Sequence, residues 1–347
     1  MDTGLALSKR NPTVEKVRII LMAVFCYAVC GELPGTAGNI QMLCTFAAPV
    51  LYMISGYYVL RKSEHRPDRI LRTIQRTAFC LLALWIGYFV FNFYFVGTQA
   101  VLPQIMTRQF WVDLIVLGKW DLPVGSTLCY VQGLLYAYVL LYFLEKAHLL
   151  AYNGILAAAL LLVAAVCEEF PALFGLHFFG YDFLFGGWLL RALPYILLGS
   201  WVHENKKKLW KVENKYYQIL CAVGCVMILG EAALLSQMGK LVRRGHFIGT
   251  ILVSVALFVL IFKSRHNNNS RDFFKIFPYR TANVIYYICP AVSYFLTDRA
   301  MTLTEFSQGV AMPMMGILTY LICLTAVLAG NILWTVVLGN GEKKKEK

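Results

Sequence analysis

The sequence contains little charge and few of the residues that build soluble catalytic or metal sites. Only 15% of its 347 residues are Asp, Glu, Lys or Arg, against about 25% in an ordinary soluble domain. The ten cysteines include no Cys-x-x-Cys pair, so no zinc or thioredoxin-like motif is indicated, and no metal site is predicted. Most of these cysteines lie inside apolar runs, where a thiol behaves as a small hydrophobe. A soluble fold built on metal or disulfide cross-links is therefore disfavoured.

Apolar residues dominate instead, at 59% of the chain with a mean hydropathy of +0.61. Apolar runs of this length predict transmembrane helices, because a helix needs about 20 such residues to cross the hydrocarbon core. The runs are apolar at consecutive positions, which disfavours a membrane β-barrel. We therefore predict an all-α integral membrane protein, a single polytopic domain over 1–347 with about ten spans. The predicted spans are 17–31, 41–60, 77–97, 127–145, 149–166, 183–202, 216–236, 247–263, 280–297 and 312–338.

The basic residues predict the orientation of these spans. Most of the 32 Lys and Arg residues fall at the N-terminus, at 61–76, at 206–215, at 263–280 and after 342. These segments share one side of the membrane if both termini are cytoplasmic, as the positive-inside rule requires. The net charge of +13 then reflects loop bias beside anionic lipid, and nucleic-acid binding is not predicted.

Several polar residues in or near the spans are candidates for function, because an ionisable group in lipid is costly. Arg18 opens the first span and either snorkels to the surface or binds a ligand. Arg69, Arg72 and Arg76 share one face if their segment is helical. We also expect small-residue helix contacts at Ser55-Gly56 and Gly199-Ser200. The candidates for a substrate cavity are Ser55, Tyr130, Gln132, Arg191 and Glu231.

The segment from Gln99 to Ser126, on the predicted outer side, is too long for a simple turn. Its residues Phe110, Trp111, Leu114, Ile115 and Leu117 predict an amphipathic helix in the membrane interface.

Two stretches carry a family resemblance. The second span reads Ala48-Pro-Val-Leu-Tyr-Met-Ile-Ser-Gly-Tyr-Tyr-Val-Leu60 and is followed by a basic run, and the sixth contains Arg191-Ala-Leu-Pro-Tyr-Ile-Leu-Leu-Gly-Ser-Trp-Val202. With Arg18 at the start of the first span, these resemble the acyltransferase family 3 membrane proteins over most of the chain. The second span also resembles the membrane domain attached to vancomycin-resistance serine racemases, a branch suspected of handling serine.

The resemblance implies a multi-pass protein of a bacterial plasma membrane. It would move an acyl group from a cytoplasmic acyl-coenzyme A, most simply acetyl-coenzyme A, to a hydroxyl of a cell-surface carbohydrate or related acceptor. The resemblance implies that four arginines lie near the donor: Arg18, Arg69, Arg72 and Arg76. Guanidinium groups suit this role because they bind the oxygens of the donor's phosphates.

The chain departs from the family pattern where a base is needed. The family's first-span histidine is absent, since this region reads Cys26-Tyr-Ala-Val-Cys-Gly-Glu32. The family's fourth-span motif, often His-Leu-Trp-Tyr, is replaced by Thr127-Leu-Cys-Tyr130. The candidate catalytic residues that remain are Tyr27, Cys30 and Glu32. Losing a general base costs about 10²- to 10⁴-fold in rate.

Two alternatives to an active enzyme therefore stay open. One is a catalytically silent relative that binds or transports a small polar solute such as serine. The other is a scaffold that docks an envelope-assembly partner.

Overall fold

The regular structure is helical throughout the residues described. This computed structural model describes residues 12–29, 35–60, 66–165, 188–237, 247–263, 281–301 and 305–343. Within those ranges there is no strand, and the all-α prediction is confirmed for them. The helices are α1 (Pro12–Val29), α2 (Gly35–Leu43), α3 (Ala47–Val59), α4 (Arg66–Phe91), α5 (Thr98–Ile105), α6 (Arg108–Val112), α7 (Cys129–Lys146), α8 (Asn153–Ala164), α9 (Trp188–Arg191), α10 (Leu193–Leu209), α11 (Asn214–Gln237), α12 (Ile248–Lys263), α13 (Thr281–Met301) and α14 (Glu305–Lys343).

Four helical stretches among these residues are long and apolar enough to cross a membrane. They are Gly38–Val59, Arg66–Val96, Asn214–Leu234 and Met314–Leu333. Large apolar side chains are exposed along them, for example Phe79 on α4 and Val226 on α11. Water would disfavour such surfaces and lipid would not, so the chain has the character of a membrane protein.

A fifth candidate span depends on how one bent pair of helices is counted. α7 and the helical stretch Leu149–Ala164, which contains α8, are long and apolar enough together to cross a membrane, but they meet at an angle of 110°. The bend follows His148, which has a positive φ of 58°. The predicted spans 127–145 and 149–166 thus correspond to two helices with a sharp turn between them. The prediction of ten spans with cytoplasmic termini stays a prediction.

The residues group into two compact units. A central unit comprises Asn39–Leu260, and a terminal unit comprises Met1–Gly38 with Ile261–Lys347. The prediction of a single domain stays a prediction.

Glycines bring the helices α3 and α10 of the central unit into backbone contact. A Cβ atom at Gly56 would lie 2.0 Å from the carbonyl oxygen of Ile196, and one at Gly199 would lie 2.0 Å from that of Met53. Both distances are far below van der Waals contact, so only glycine fits at either position. The predicted close packing at these two small pairs is confirmed.

A second close contact in the central unit joins α11 to α12. Here Gly224 and Gly249 face each other, and a Cβ on Gly249 would lie 2.4 Å from the carbonyl oxygen of Gly224. The carboxylate of Glu231 accepts hydrogen bonds from the backbone nitrogens of Ile248, at 2.9 Å, and Gly249, at 3.2 Å. Glu231 therefore caps the otherwise unsatisfied N-terminus of α12.

The segment after α4 is built from short helices. Phe110, Leu114 and Leu117 are buried, whereas Trp111 and Ile115 are exposed. The apolar residues of the predicted amphipathic helix thus divide between two faces, because α6 ends after five residues and continues as a π-helical turn over Asp113–Leu117. Apolar side chains on both faces are compatible with a position at a lipid interface.

The terminal unit packs α1, α13 and α14 together. Gly316 lets α14 approach α1, since a Cβ there would lie 2.5 Å from the Cα of Tyr27. The buried thiols of Cys26 and Cys289 lie 3.3 Å apart, and the ring of Phe25 lies 5.4 Å from that of Tyr286. A tightly packed apolar core therefore surrounds Tyr27.

Candidate functional site

Polar and aromatic residues cluster at the first turns of α7 in the central unit. We call this cluster the Arg191 recess and define it as Tyr52, Cys129, Tyr130, Gln132 and Arg191. The ring of Tyr52 stacks on that of Tyr130 with centroids 4.4 Å apart, and its hydroxyl donates to the carbonyl oxygen of Tyr130 at 3.4 Å. Three of the predicted cavity residues, Tyr130, Gln132 and Arg191, belong to the recess.

Helix α9 brings Arg191 to this position. A Cβ placed on Gly133 would lie in ordinary van der Waals contact with the side chains of Trp188 and Ala192, at 3.5 Å, so this part of the chain packs against α7 at Gly133. Arg191 lies within electrostatic range of Tyr52 and Cys129. Cys129 and Gln132 are three residues apart on α7, and such residues are neighbours on one helix face.

The amide of Gln132 is held in one orientation by its nitrogen. This nitrogen donates to the carbonyl oxygen of Leu114 and to the hydroxyl of Tyr136, the latter at 2.9 Å. The reverse orientation would set two carbonyl oxygens against each other, so the assignment is chemically fixed. The side-chain oxygen of Gln132 is buried and accepts no hydrogen bond from the described part of the protein. Buried acceptors without donors are rare.

The side chain of Gln132 contacts a π-helical turn, Asp113–Leu117. Such turns are uncommon and occur often at functional sites. The hydroxyl of Tyr136 donates to the carbonyl oxygen of Ile115 in the same turn. Gln132 and Tyr136 thus satisfy two of its carbonyls, which fixes the turn against α7.

Cys129, the first residue of α7, is an exposed thiol of this cluster.

A second polar cluster ties four helices together at the start of α4. We call it the Arg66 junction and define it as Arg66, Glu145, Asn153, Ser200 and Glu204. The guanidinium of Arg66, with a side chain only 8% exposed, contacts Glu145 at 3.0 Å and Glu204 at 3.5 Å. The side-chain nitrogen of Asn153 donates to Glu204 and to Ser200, both at 3.1 Å. The junction therefore cross-links α4, α7, α8 and α10.

The predicted arginine face follows directly after this junction. Arg69, Arg72 and Arg76 all lie on α4, as the helical interpretation required. Arg72 and Arg76 are exposed, whereas Arg69 is half-buried. The helical stretch Arg66–Val96 has 31 residues and is about 46 Å long, which exceeds the hydrocarbon core by about ten residues. The excess length equals the segment that carries the arginines.

In the terminal unit, Arg18 has partners within the protein. Its guanidinium donates to the carboxylate of Glu15 at 3.1 and 3.2 Å and to the side-chain oxygen of Asn283 at 2.6 Å. Tyr27 is buried in the same unit. Cys30 and Glu32, the other two candidate catalytic residues, lie outside the described residues.

The remaining predicted cavity residues make local contacts. The hydroxyl of Ser55 donates to the carbonyl oxygen of Leu51 at 3.1 Å, one turn back along α3. The carboxylate of Glu231 is engaged by the N-terminus of α12. These contacts do not place Ser55 or Glu231 beside the residues of the Arg191 recess. Among the described residues, no group of three His, Cys, Asp or Glu side chains could hold a metal ion.

Sequence reasoning missed the Arg66 junction and the part that Tyr52 plays in the recess. The sequence did offer one signal: three charged residues each lie near the end of an apolar run, namely Arg66, Glu145 and Glu204. Charges at span ends usually face headgroups, however, and nothing local indicates that these three side chains meet.

Searches among models of known protein families, curated proteins and solved structures find no match to this chain. Its functional interpretation therefore depends on the geometry above and on the resemblance described first.

Proposed function

We propose that the protein is a membrane acyltransferase of about ten spans, with both termini in the cytoplasm. It would transfer an acyl group from cytoplasmic acyl-coenzyme A to a hydroxyl of a cell-surface carbohydrate or related acceptor. The apolar helices and the resemblance to acyltransferase family 3 both support this proposal. The donor-binding residues would be Arg69, Arg72 and Arg76.

The main support is the exposed pair Arg72 and Arg76 near the N-terminal end of a helical stretch, Arg66–Val96, that is longer than the hydrocarbon core is thick. Guanidinium groups hold phosphate oxygens in a bidentate geometry and stay charged at any physiological pH. The Arg66 junction fixes the first residue of the same helix. A donor carrying several phosphates would therefore meet a preorganised cationic surface, at a low entropic cost of ordering it.

The transfer itself needs a base. The acceptor oxygen attacks the thioester carbonyl, an ester bond forms, and the carbon–sulfur bond breaks to release coenzyme A as its thiol. The hydroxyl proton passes to a general base and then to the leaving sulfur. Because the family histidine is absent, Glu32 is the proposed base. This role requires that desolvation raise the pKa of its carboxyl to near neutral pH. Cys30 and Tyr27 remain weaker candidates for taking part in the reaction.

Calorimetry on the purified full chain tests the donor site. Wild-type protein should bind acetyl-coenzyme A, and Arg72→Ala with Arg76→Ala should weaken binding by about 100-fold, since each lost charge-assisted contact is worth roughly tenfold. The matched control is Lys206→Ala with Lys207→Ala, which removes two exposed charges on the same predicted side. Equal weakening in both double variants, or no binding to wild type, would refute the donor site.

A second candidate function is the binding or transport of a small polar solute by a relative that has lost catalysis. Besides the missing histidine, the contacts of Arg18 with Glu15 and Asn283 favour it, because they occupy a guanidinium that the family resemblance assigns to the donor. Proteoliposomes containing the protein should then take up labelled serine faster than empty vesicles. Equal uptake over a panel of amino acids would exclude transport of this class of solute.

A further inference from the structure

We infer that Cys26 and Cys289 form an oxidation site, a pair of buried thiols that a peroxide converts to a disulfide joining α1 to α13. The inference goes beyond the proposed function and does not depend on it. Both residues belong to the terminal unit, and neither is a proposed donor-binding or catalytic residue. The distance between the two sulfur atoms and their burial together determine the chemistry of this site.

The two sulfur atoms of this pair are already in close contact. They lie 3.3 Å apart, and either thiol can donate a hydrogen bond to the other. Nonbonded carbon atoms are usually about 3.5–4.0 Å apart, and sulfur is the larger atom. A disulfide bond is about 2.05 Å long, so the sulfur atoms have to move about 1.25 Å closer to form one. Because one rotatable bond separates each sulfur from the backbone, rotation of the two side chains is the movement that closes this gap.

The packing of α1 keeps the two thiols together. On one side of Cys26 along the chain, the ring of Phe25 lies 5.4 Å from that of Tyr286 on α13. On the other side, α14 approaches the backbone of Tyr27 at Gly316. α1 is therefore held against both neighbouring helices at the level of the pair. A fixed geometry of this kind raises the effective concentration of one thiol at the other.

The burial of the pair selects the class of oxidant. Cys26 and Cys289 are each only 1% exposed, so a reagent reaches them through brief local openings of the packing. Hydrogen peroxide is small and uncharged, whereas glutathione disulfide is bulky and charged. Thiol–disulfide exchange needs direct contact between the reacting sulfur atoms, and the packed core obstructs that contact for a bulky disulfide. We therefore expect the pair to react with peroxide and not with glutathione disulfide.

The peroxide is the only reagent that the reaction consumes. One sulfur, as its thiolate, attacks the peroxide, the O–O bond breaks, and a sulfenic acid forms with release of one water molecule. The second sulfur then attacks the sulfenic sulfur, an S–S bond forms, the S–O bond breaks, and a second water molecule leaves. The two thiols lose two electrons and the peroxide gains them, and both thiol protons leave in the water.

Peptide mapping of the full chain in detergent micelles tests this inference. After exposure to hydrogen peroxide, the remaining thiols are blocked with N-ethylmaleimide in sodium dodecyl sulfate. Trypsin should then release residues 19–61 joined to residues 281–299, and fragmentation should place the bond between Cys26 and Cys289. Glutathione disulfide should give about tenfold less of this product. No joined peptide after peroxide, a bond from Cys289 to Cys323 instead, or an equal yield with glutathione disulfide would overturn the inference.

Single variants assign the bond independently. Cys26→Ala and Cys289→Ala should each abolish the cross-link, because each removes one of its sulfur atoms. Two matched variants should retain it: Cys323→Ala, which changes another buried thiol of the terminal unit, and Cys30→Ala, which changes a thiol on the same tryptic peptide as Cys26. A cross-link that survives Cys26→Ala, or one that Cys323→Ala abolishes, would overturn the inference. Where a variant does not fold, fragmentation of the wild-type peptide still decides.

Discussion

Arg66 is a buried cation whose contacts come from carboxylates on two other helices. Its guanidinium lies between Glu145 and Glu204, which belong to segments 79 and 138 residues away along the chain. Buried ion pairs contribute little net stability compared with apolar packing, but removing one partner leaves the others uncompensated. The junction therefore fixes how α4, α7, α8 and α10 meet, and removing the cation should lower the stability of the protein.

We predict that Arg66→Met destabilises the protein by about 1–2 kcal/mol, because two partly buried carboxylates are then left close together without a cation. Thermal unfolding in detergent micelles measures the change. The matched variant Arg72→Met alters an exposed residue on the same helix and should shift stability by less than about 0.5 kcal/mol. Equal melting temperatures for the two variants would show that the junction does not contribute to stability.

Single residues were predictable from the sequence only where the signal was local. Arg18 was singled out in the sequence as an ionisable residue beside an apolar run, but its contact with Asn283 joins residues 265 positions apart. Glu231 stood out as a charge in an apolar helix, and its role as a cap became apparent only with α12 in place. Pairings over such distances depend on tertiary packing, which a single sequence does not encode in any local pattern.

At the level of helices, α3 and α10 of the central unit cross in backbone contact. The backbones touch where Gly56 meets Ile196 and where Gly199 meets Met53. In lipid, helix association depends on van der Waals packing and not on the hydrophobic effect, so small residues at a crossing contribute directly. Because the obstructing atoms are backbone carbonyls, no rotation of a side chain can make room for a methyl group.

Gly56→Ala and Gly199→Ala should therefore each destabilise the protein by about 2 kcal/mol or more, since overpacking outweighs the gain of about 1 kcal/mol in helix propensity. Gly87→Ala on α4 is the control, because a Cβ there meets nothing within 4 Å. It should be neutral or slightly stabilising. Thermal unfolding of the three variants measures these changes in stability. A Gly56→Ala protein as stable as the Gly87→Ala protein would contradict the observed crossing.

The long apolar helices could be located approximately from the sequence, because the apolar runs are long and the small pairs are distinctive. The segment between α4 and α7 could not. Its apolar residues predicted one amphipathic helix, but short helices and a π-helical turn divide them between a buried and an exposed face. The turn depends on the side chains of Gln132 and Tyr136, which lie on a different helix.

For the molecule as a whole, the sequence predicts more than helix content. An all-α membrane character follows from composition alone, and it agrees with the described helices. The number of spans and their orientation were inferred from the charges of the loops. Both remain predictions and are part of the proposed function. Both polar clusters of the central unit were only partly foreseen, since each gathers residues from several helices.

We propose that this chain lies in a membrane with its cationic helix ends on one side. A membrane-impermeant amine reagent, applied to right-side-out and inverted vesicles, tests it through the lysines of the 206–215 segment and of the C-terminus. Both groups should be labelled in inverted vesicles and protected in right-side-out vesicles, with Lys240 showing the opposite pattern. Labelling of Lys206 and Lys345 from opposite faces would contradict the account and remove the proposed donor site with it.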